Sequence, residues 1–405
     1  MTPERLNELI ALARSLGRGR FAPRAATYDL EASFPFENYE DLKEHGFLGL
    51  CVPEQHGGLG ANFEEYCQIS AELGQYCGAT ALTFNMHTVS MLWSSGLVDD
   101  LDLSAEDRAA HEDRRRYWYR RVVEDGIVFA QPFSEPDSSA SSGANPFATR
   151  ARPVDGGWLL SGRKHFASLS GAADYYSITC TEVADEGADR DRRMDDTLFL
   201  IVPGDADGFE VTGSWDPVGM RGTVSRVLEL DDVFIPTSHQ LMPKGIYRQA
   251  ARRWPHMFVT LTPTYMGIAR AAYQFTVDYL RGEIEGGPTK PGRASATKQL
   301  AVAEMRLKLD QAESLWRTML SDAGVDPSSE DRLRMFSAQY TVMEYSNDIT
   351  RLAIRTCGGR SIMRTLPLER MYRDSRCGSL MLPYTAEISL ERLGRESLYR
   401  PGERD

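Results

Sequence analysis

The chain has 405 residues, of which 42% are hydrophobic, and a formal net charge of −12; this length and composition predict two or three domains around a large buried core. An acidic chain lacks the positive surface that nucleic acid or an anionic membrane requires, so neither is expected as a partner. No apolar run approaches the roughly 20 residues of a membrane helix, and charges interrupt the N-terminal segment where a signal peptide would be apolar. We therefore expect a soluble protein of the cytoplasm.

The six cysteines and seven histidines are scattered along the chain. The cysteines form no CxxC pair, and the histidines show no spacing typical of zinc ligands. This pattern predicts buried thiols in a reducing compartment and no metal site.

Residues 1–126 are predicted to form a helical domain, because apolar residues recur in them at helical spacing. The segment from Asn62 to Trp93 is so apolar that its helices should be buried against others. His87 lies in this segment, where a hydrogen-bonded core histidine is the expected role. Residues 101–125 alternate acids with arginines, which favours an exposed helix.

Residues 127–240 are predicted to form a β-domain. The runs IVFA, GWLL and HFASL have the length of strands, and Gly156-Gly157 supplies a turn. The runs DYYSITC, DTLFLIV, FEVTG and RVLELDDVFI continue the sheet, and Pro236 is expected to end it. Residues 183–196 are polar and predict a surface loop or hairpin tip. With serine-rich loops at its rim, the domain is either purely structural or a site for a polar planar ligand.

Residues 241–405 are predicted to form a helical bundle. Amphipathic patterns over Thr297–Leu320 and Asp331–Cys357 are joined by a short connection, which predicts an antiparallel pair. Two shorter helices should follow, joined by a loop at Leu380–Thr385.

Short motifs recur along these three blocks in a fixed order. They are Gly46–Glu54 with Gly57–Gly60, Ser134–Pro136, Gly162–Ser168, Gly219–Thr223, Asp231–Pro236, Gly358-Gly359 and Arg373-Asp374. In sequence and order they resemble motifs of the acyl-CoA dehydrogenase family, over nearly the whole chain.

The resemblance implies an α+β fold with an N-terminal helical domain, a middle β-barrel-like domain and a C-terminal four-helix bundle. It also implies FAD between the middle and last domains, in a homo-oligomer that is a dimer or a tetramer. Phe133 and Phe166 would then form flat walls beside the flavin ring. Ser134, Ser168 and the backbone around Ala167 would supply polar contacts.

The other cofactor contacts implied by the resemblance lie near the C-terminus. Gly358 and Gly359 would contact the ADP half of FAD across a subunit interface. Thr385 and Glu387 fall where the family has a threonine and a Gln or Glu beside the cofactor. Alternatively, Thr385 is a helix N-cap and Glu387 belongs to an acidic first turn.

The chain departs from the family at the catalytic base. Depending on the alignment, the usual glutamate position is occupied by Leu382 or Pro383, neither of which can accept a proton. Some members carry the base on the first C-terminal helix, and that position corresponds to Met257. His256 and Tyr384 are the nearest residues that could exchange a proton, or both are simply packing residues.

Two reactions follow from this departure. One is FAD-dependent α,β-dehydrogenation of an acyl thioester with an unconventional base, using an electron-transfer acceptor. The alternative is a flavin-dependent monooxygenase or oxidase that uses oxygen and needs no glutamate. The family's Gly-Ser-Asp is replaced by the serine-rich Ser138–Gly143, so the substrate is a CoA thioester, a carrier-bound thioester or another small molecule.

Overall fold

The computed structural model describes residues 1–136, 146–183, 194–288, 291–400 and 403. The serine-rich segment 138–143 and most of the polar loop expected at 183–196 lie outside the described residues.

Helices form the N-terminal block. They are α1 (Pro3–Leu16), α2 (Ala22–Glu31), α3 (Phe36–Glu44), α4 (Phe63–Gly74), α5 (Gly78–Leu92) and α6 (Ala105–Arg120). Asn62 caps α4 in a reciprocal capping box with Glu65, which satisfies the first free amides of the helix. Nearly every residue of α5 is buried, as the apolar sequence predicted.

A single sheet forms the middle block. Its strands are β1 (Phe129–Ala130), β2 (Arg150–Val154), β3 (Gly157–Ala167), β4 (Tyr175–Glu182), β5 (Thr197–Pro203), β6 (Phe209–Thr212), β7 (Arg226–Pro236) and β8 (Gln240–Met242). They are ordered β6-β7-β3-β2-β4-β5-β8, and β1 pairs with β4 in parallel. Gly156, with φ +78°, makes the predicted turn, but the strand that precedes it, β2, is not one of the predicted runs.

Two predictions about the sheet were wrong. The runs GWLL and HFASL are not separate strands, because β3 continues from Gly157 to Ala167 with an irregularity near Gly162. Pro236 does not end the sheet, because Gln240 to Met242 adds a further strand against β5. A proline ends one strand but does not prevent the chain from returning to the same sheet.

Helices also form the C-terminal block. They are α7 (Ile246–Arg253), α8 (Thr262–Arg281), α9 (Ala296–Ser321), α10 (Ser329–Cys357), α11 (Leu368–Cys377) and α12 (Ala386–Leu398). Helix α10 contacts α8, α9, α11 and α12. The structure therefore confirms the predicted order of helical block, sheet and helical bundle.

Glycines bring the two helical blocks into close contact. A Cβ on Gly74 of α4 would lie 2.8 Å from the Thr264 carbonyl oxygen, and one on Gly267 of α8 would lie 2.5 Å from that of Ala71. Only glycine permits this approach, so α4 and α8 pack backbone against backbone and the blocks share one core. No helix in the described ranges is long and apolar enough to cross a membrane.

Candidate active site

Phe166, Ala167 and Ser168 lie at the end of β3, where the strand leaves the sheet. Phe166 has a φ of +51°, a left-handed conformation that is rare for a bulky residue. Its ring is 65% exposed, whereas Ala167 is fully buried. Backbone strain of this kind clusters at functional sites, and here it turns a flat aromatic ring toward the outside of the sheet.

Hydroxyl groups attach this turn to the motif Gly219–Thr223. The Oγ atoms of Ser168 and Ser225 are 2.9 Å apart, and Thr223 Oγ1 lies 2.7 Å from Ser225 Oγ. The Leu169 amide donates to the Thr223 carbonyl at 3.0 Å. Ser168 therefore fixes the turn and retains capacity for a second hydrogen bond.

Ser134 is held against β3 by a buried ion pair that sequence reasoning missed. The His165 amide donates to the Ser134 carbonyl at 2.9 Å. Next to Ser134, Glu135 Oε1 accepts from Lys164 Nζ at 2.8 Å, and both side chains are almost completely buried.

Burial alone would raise the pKa of Glu135, but Lys164 and the donors on Thr149 and Ala148 together lower it. The carboxylate stays charged, and Lys164 completes its own bonding at the Thr179 carbonyl, 2.7 Å away. The signal was present in the sequence, since both residues lie inside the quoted motifs.

Phe133 belongs to an aromatic cluster where the three blocks meet. We use this term for Trp93, Phe133, Phe199, Tyr247, Phe258 and Tyr384, whose rings form a connected set of contacts. Trp93 and Phe133 have ring centroids 5.4 Å apart, and Phe258 and Tyr384 are 5.8 Å apart. Phe133, Phe258 and Tyr384 are half-buried, whereas the other three rings are buried. The half-buried rings therefore form an apolar face on which a planar molecule could lie.

Tyr384 is a wall of this cluster. Its ring contacts Phe258 and Phe336, and its carbonyl accepts from Gln339 Nε2 at 3.2 Å. Burial raises the pKa of Tyr384 to about 12, so the phenol is protonated at neutral pH. It is unsuited to act as a base there.

His256 lies close in sequence to Phe258 but does not share its surroundings. It is fully buried beside Trp254, at 6.0 Å between ring centroids. Burial lowers its pKa to about 4, and the charges acting on it come from Asp322 and Asp331, at the connection between α9 and α10. Phe258 therefore faces the aromatic cluster while His256 faces the bundle, and its assignment as a base gains no support from the geometry.

Thr385 begins α12. Its Oγ1 accepts from the Ile388 amide at 3.3 Å, and Glu387 is exposed in the first turn. This geometry corresponds to the N-cap interpretation. Thr385 also directly follows Tyr384, a member of the aromatic cluster.

Gly358 and Gly359 follow α10 at its far end. Gly358 has φ +81°, and a Cβ on either glycine would meet nothing within 4 Å. At 1.5 Å per residue, Gly358 lies about 28 Å along α10 from Gln339, which contacts Tyr384. Within a single chain, the glycine pair therefore lies far from the aromatic cluster.

His87 has the structural role that was expected. The Phe129 amide donates to its Nδ1 at 3.0 Å, so its Nε2 carries the proton and donates to the Leu48 carbonyl at 2.8 Å. Burial lowers its pKa to about 4. Nδ1 thus holds α5 against β1, and Nε2 holds it against the turn that contains Leu48.

Asp374, from the Arg373-Asp374 motif, is a second positioning residue, a role that the sequence reasoning did not assign to it. Its Oδ1 accepts from the Met220 amide at 2.6 Å, which ties α11 to the Gly219–Thr223 motif. Burial raises its pKa to about 6. The adjacent Arg373 donates to both carboxylate oxygens of Asp29, at 2.9 and 2.6 Å, and so joins the same motif region to α2.

The residues around β3 fit a flavin ring. Phe166 offers an exposed flat surface, Ser168 offers a hydroxyl with remaining capacity, and Ser134 lies beside them through its bond to His165. A flavin needs apolar walls for its ring and polar contacts at its pyrimidine edge. Of the predicted set, Ser134, Phe166, Ala167 and Ser168 are thus brought together beside β3. Phe133 lies in the aromatic cluster, Thr385 and Glu387 lie at the start of α12, and Gly358 and Gly359 lie at the end of α10.

Two proteins of known sequence are similar to most of this chain. Putative acyl-CoA dehydrogenase YdbM of Bacillus subtilis (strain 168) is 26% identical over 361 residues, covering 88% of each chain. L-evernosamine nitrososynthase of a Micromonospora species is 26% identical over 398 residues, covering 94% of this chain and 87% of that protein. Sequence identity alone therefore does not show which of these two relatives this chain resembles more in its reaction.

Among solved structures, KijD3 in complex with FMN and dTDP-3-amino-2,3,6-trideoxy-4-keto-3-methyl-D-glucose has the same fold. The TM-score is 0.81 at 23% identity, over 100% of this chain and 96% of that chain.

The sequence models of three domains match in the expected order. They are the acyl-CoA dehydrogenase N-terminal domain at residues 3–96, the middle domain at 130–233 and the C-terminal domain at 259–380. With the helix–sheet–helix architecture, these matches show that the chain belongs to the acyl-CoA dehydrogenase family, a family of oxidoreductases.

Proposed function

We propose that this protein is a flavin-dependent monooxygenase built on the acyl-CoA dehydrogenase fold. One observation carries the proposal: by its resemblance to the family, the chain has Leu382 or Pro383 at the position of the usual glutamate, next to a Tyr384 whose phenol stays protonated. Removal of an α-proton from a thioester needs a base poised near neutral pH. Neither His256 nor Tyr384 meets that requirement.

Monooxygenation has a different proton balance. A substrate, O₂, two electrons and two protons give the oxygenated substrate and one water. When bound and reduced, a flavin supplies the two electrons and reacts with oxygen. The chain's own contribution is to orient the substrate on the aromatic face and to exclude water there. A separate flavin reductase, driven by a reduced nicotinamide, would supply the electrons.

The comparisons support this choice only in part. The nitrososynthase relative and KijD3, whose structure holds FMN and a dTDP-linked amino sugar, favour a reaction other than dehydrogenation, with an amino sugar as one candidate substrate. The acyl-CoA dehydrogenase relative is equally similar, so the base position is the deciding feature.

For the cofactor, we propose FAD rather than FMN. Phe133, Ser134, Phe166, Ala167 and Ser168 would hold its ring. Thr385 and Glu387 would lie beside it. Gly358 and Gly359, about 28 Å along α10 from the contact with Tyr384, would contact the ADP half of a FAD molecule that is bound mainly by a second copy of the chain.

The surface after the glycines supports a subunit contact there. Ile362 and Met363 follow them and are 61% and 55% exposed. A homodimer or homotetramer in the cytoplasm is the form we propose.

The absorption spectrum of the purified protein, followed by two parallel assays, tests the reaction. With reduced flavin supplied by a reductase, oxygen consumption should rise when a panel of neutral aromatic compounds and amino-sugar nucleotides is added, and a product heavier by one oxygen should appear. Under anaerobic conditions, a panel of acyl-CoAs of varied chain length should not bleach the bound flavin.

The opposite pair of results supports the alternative. Rapid anaerobic bleaching by an acyl-CoA, without oxygen-dependent product, would establish α,β-dehydrogenation and overturn the monooxygenase assignment. Extraction of the flavin and chromatography against FAD and FMN standards decides the cofactor.

A further inference from the structure

Gln131 carries a buried amide that is not satisfied by the protein. Its side chain is 2% exposed, and neither its oxygen nor its nitrogen has a hydrogen-bond partner in the described part of the chain. Buried polar groups are nearly always paired, because an unpaired one destabilises the fold. Gln131 therefore requires an explanation other than stability.

Trp93 repeats the pattern at the centre of the aromatic cluster. It is 2% exposed, and its indole N–H also lacks a partner among the described residues. Its ring contacts Phe133 at 5.4 Å and Phe258 at 6.4 Å. Trp93 directly follows α5, just before the kink at Ser95, whose φ of −103° and ψ of −113° are not helical.

These two residues are close together in the fold. The Phe129 amide donates to His87 on α5, and the ring of Phe133 contacts that of Trp93, which follows the same helix. The segment from Phe129 to Phe133 thus runs beside the end of α5. Gln131 lies midway along this segment, two residues before Phe133.

We propose that Gln131 and Trp93 together recognise a neutral hydrogen-bond acceptor, such as a carbonyl oxygen, on a compact planar substrate lying against the aromatic cluster. An indole N–H can only donate, so the recognised atom must accept. The six rings and Gln131 include no acid or base that is charged at neutral pH, so an ionised group would lack a countercharge. The identification of this molecule as the oxygenated substrate rests on the proposed function, but its recognition does not.

A pair of isosteric probes tests the proposal. Acetophenone carries a carbonyl oxygen, and α-methylstyrene has a methylene group in its place. Calorimetric titration of the flavin-loaded protein should show acetophenone binding about five- to tenfold more tightly, the effect of one or two hydrogen bonds. Trp93→Phe and Gln131→Leu should each reduce this preference severalfold, measured as the ratio of the two affinities, because each removes one hydrogen-bonding group. The affinity for α-methylstyrene, which has no carbonyl oxygen, reports any change in ring packing.

Trp316→Phe is the matched control. Trp316 is also fully buried, but its indole N–H already donates to Thr262 Oγ1 at 3.0 Å. This variant should keep the wild-type preference. Circular dichroism of each variant separates a folding defect from a binding defect.

Three results would overturn the proposal. They are equal affinity of the wild type for the two probes, absence of binding of both, and retention of the preference in Trp93→Phe and Gln131→Leu. Loss of flavin from these variants with an unchanged probe preference would assign the pair to a flavin carbonyl and also reject substrate recognition. Probe recognition without oxygen consumption would overturn the monooxygenase function alone, so the two failures are distinguishable.

Discussion

The turn at Phe166–Ser168 is held by directional bonds, whereas the aromatic cluster is held by ring contacts. Hydroxyl groups, the buried Glu135–Lys164 pair and backbone amides fix the turn from several directions. Phe258 and Tyr384 are instead positioned by ring packing, and the buried indole N–H of Trp93 in the same cluster has no partner among the described residues. Directional bonds specify one geometry, and ring packing tolerates changes of shape. We therefore expect the turn to tolerate substitution less well than the aromatic cluster.

The largest effect should come from breaking the buried ion pair. Lys164→Met leaves Glu135 charged without its partner, and we expect the free energy of unfolding to fall by about 3–5 kcal/mol. Urea unfolding measures this loss, and the flavin content of the purified variant should fall with it. Arg163→Met is the control from the same strand. Its pair with Glu229 is exposed, so its removal should cost less than about 1 kcal/mol. Equal effects of the two substitutions would contradict the assigned role of Lys164.

A pH-dependent effect should follow at Asp374. Its pKa is about 6 in the folded chain and 3.8 ordinarily, so between these values the folded state binds more protons than the unfolded state. The contribution of Asp374 to stability therefore falls as the pH rises from about 4 to about 6, by about 3 kcal/mol in total.

Asp374→Asn keeps an oxygen for the Met220 amide but cannot ionise. We expect the free energy of unfolding of the variant to increase relative to that of the wild type as the pH rises through this range. Below pH 4 the variant should show no such advantage. His87 and His256, whose pKa values are lowered to about 4, make a contribution to stability that grows as the pH rises. Because the variant and the wild type share this contribution, it cancels in the difference between their stability curves. A flat difference curve, measured by urea unfolding at each pH, would exclude a raised pKa at Asp374.

A smaller effect of opposite sign is expected at Gln131. Gln131→Leu removes an unpaired buried amide and should raise the free energy of unfolding by about 1–2 kcal/mol. Asn38→Leu is the comparison, because Asn38 is fully buried and its amide donates to Thr80 Oγ1 at 2.9 Å and accepts from Arg24 at 3.0 Å. That substitution should lower stability by about 1 kcal/mol. If Gln131→Leu is also destabilising, Gln131 has a structural partner and the aromatic face loses its recognition group.

The smallest effects are expected at the two candidate bases. A general base typically contributes about 10²- to 10⁴-fold to a rate. Under the proposed monooxygenase reaction, Tyr384→Phe and His256→Gln should each change turnover by less than about threefold, because neither acts as a base. Steady-state oxygen consumption with a flavin reductase measures both. A loss of two orders of magnitude in either variant would restore that residue as the base.

The sequence alone was sufficient for the order of the three blocks. Helical periodicity and strand-length apolar runs are local properties, and motifs such as Ser134–Pro136 and Gly162–Ser168 are contiguous in the chain. The absence of a carboxylate at Leu382-Pro383 was equally a property of the sequence. The sequence does not show which distant residues form pairs. The contact between Glu135 and Lys164, 29 residues apart, was therefore not recognised.

Only the tertiary structure decided which neighbours in sequence share a site. His256 and Phe258 are two residues apart, yet one faces the helical bundle and the other the aromatic cluster, because a tight helical turn directs successive side chains to different sides. Trp93, Phe133 and Tyr384 come from three blocks and meet only when those blocks share a core. The physical reason is that burial and long-range ring contacts depend on packing between elements, which no local pattern in the chain encodes.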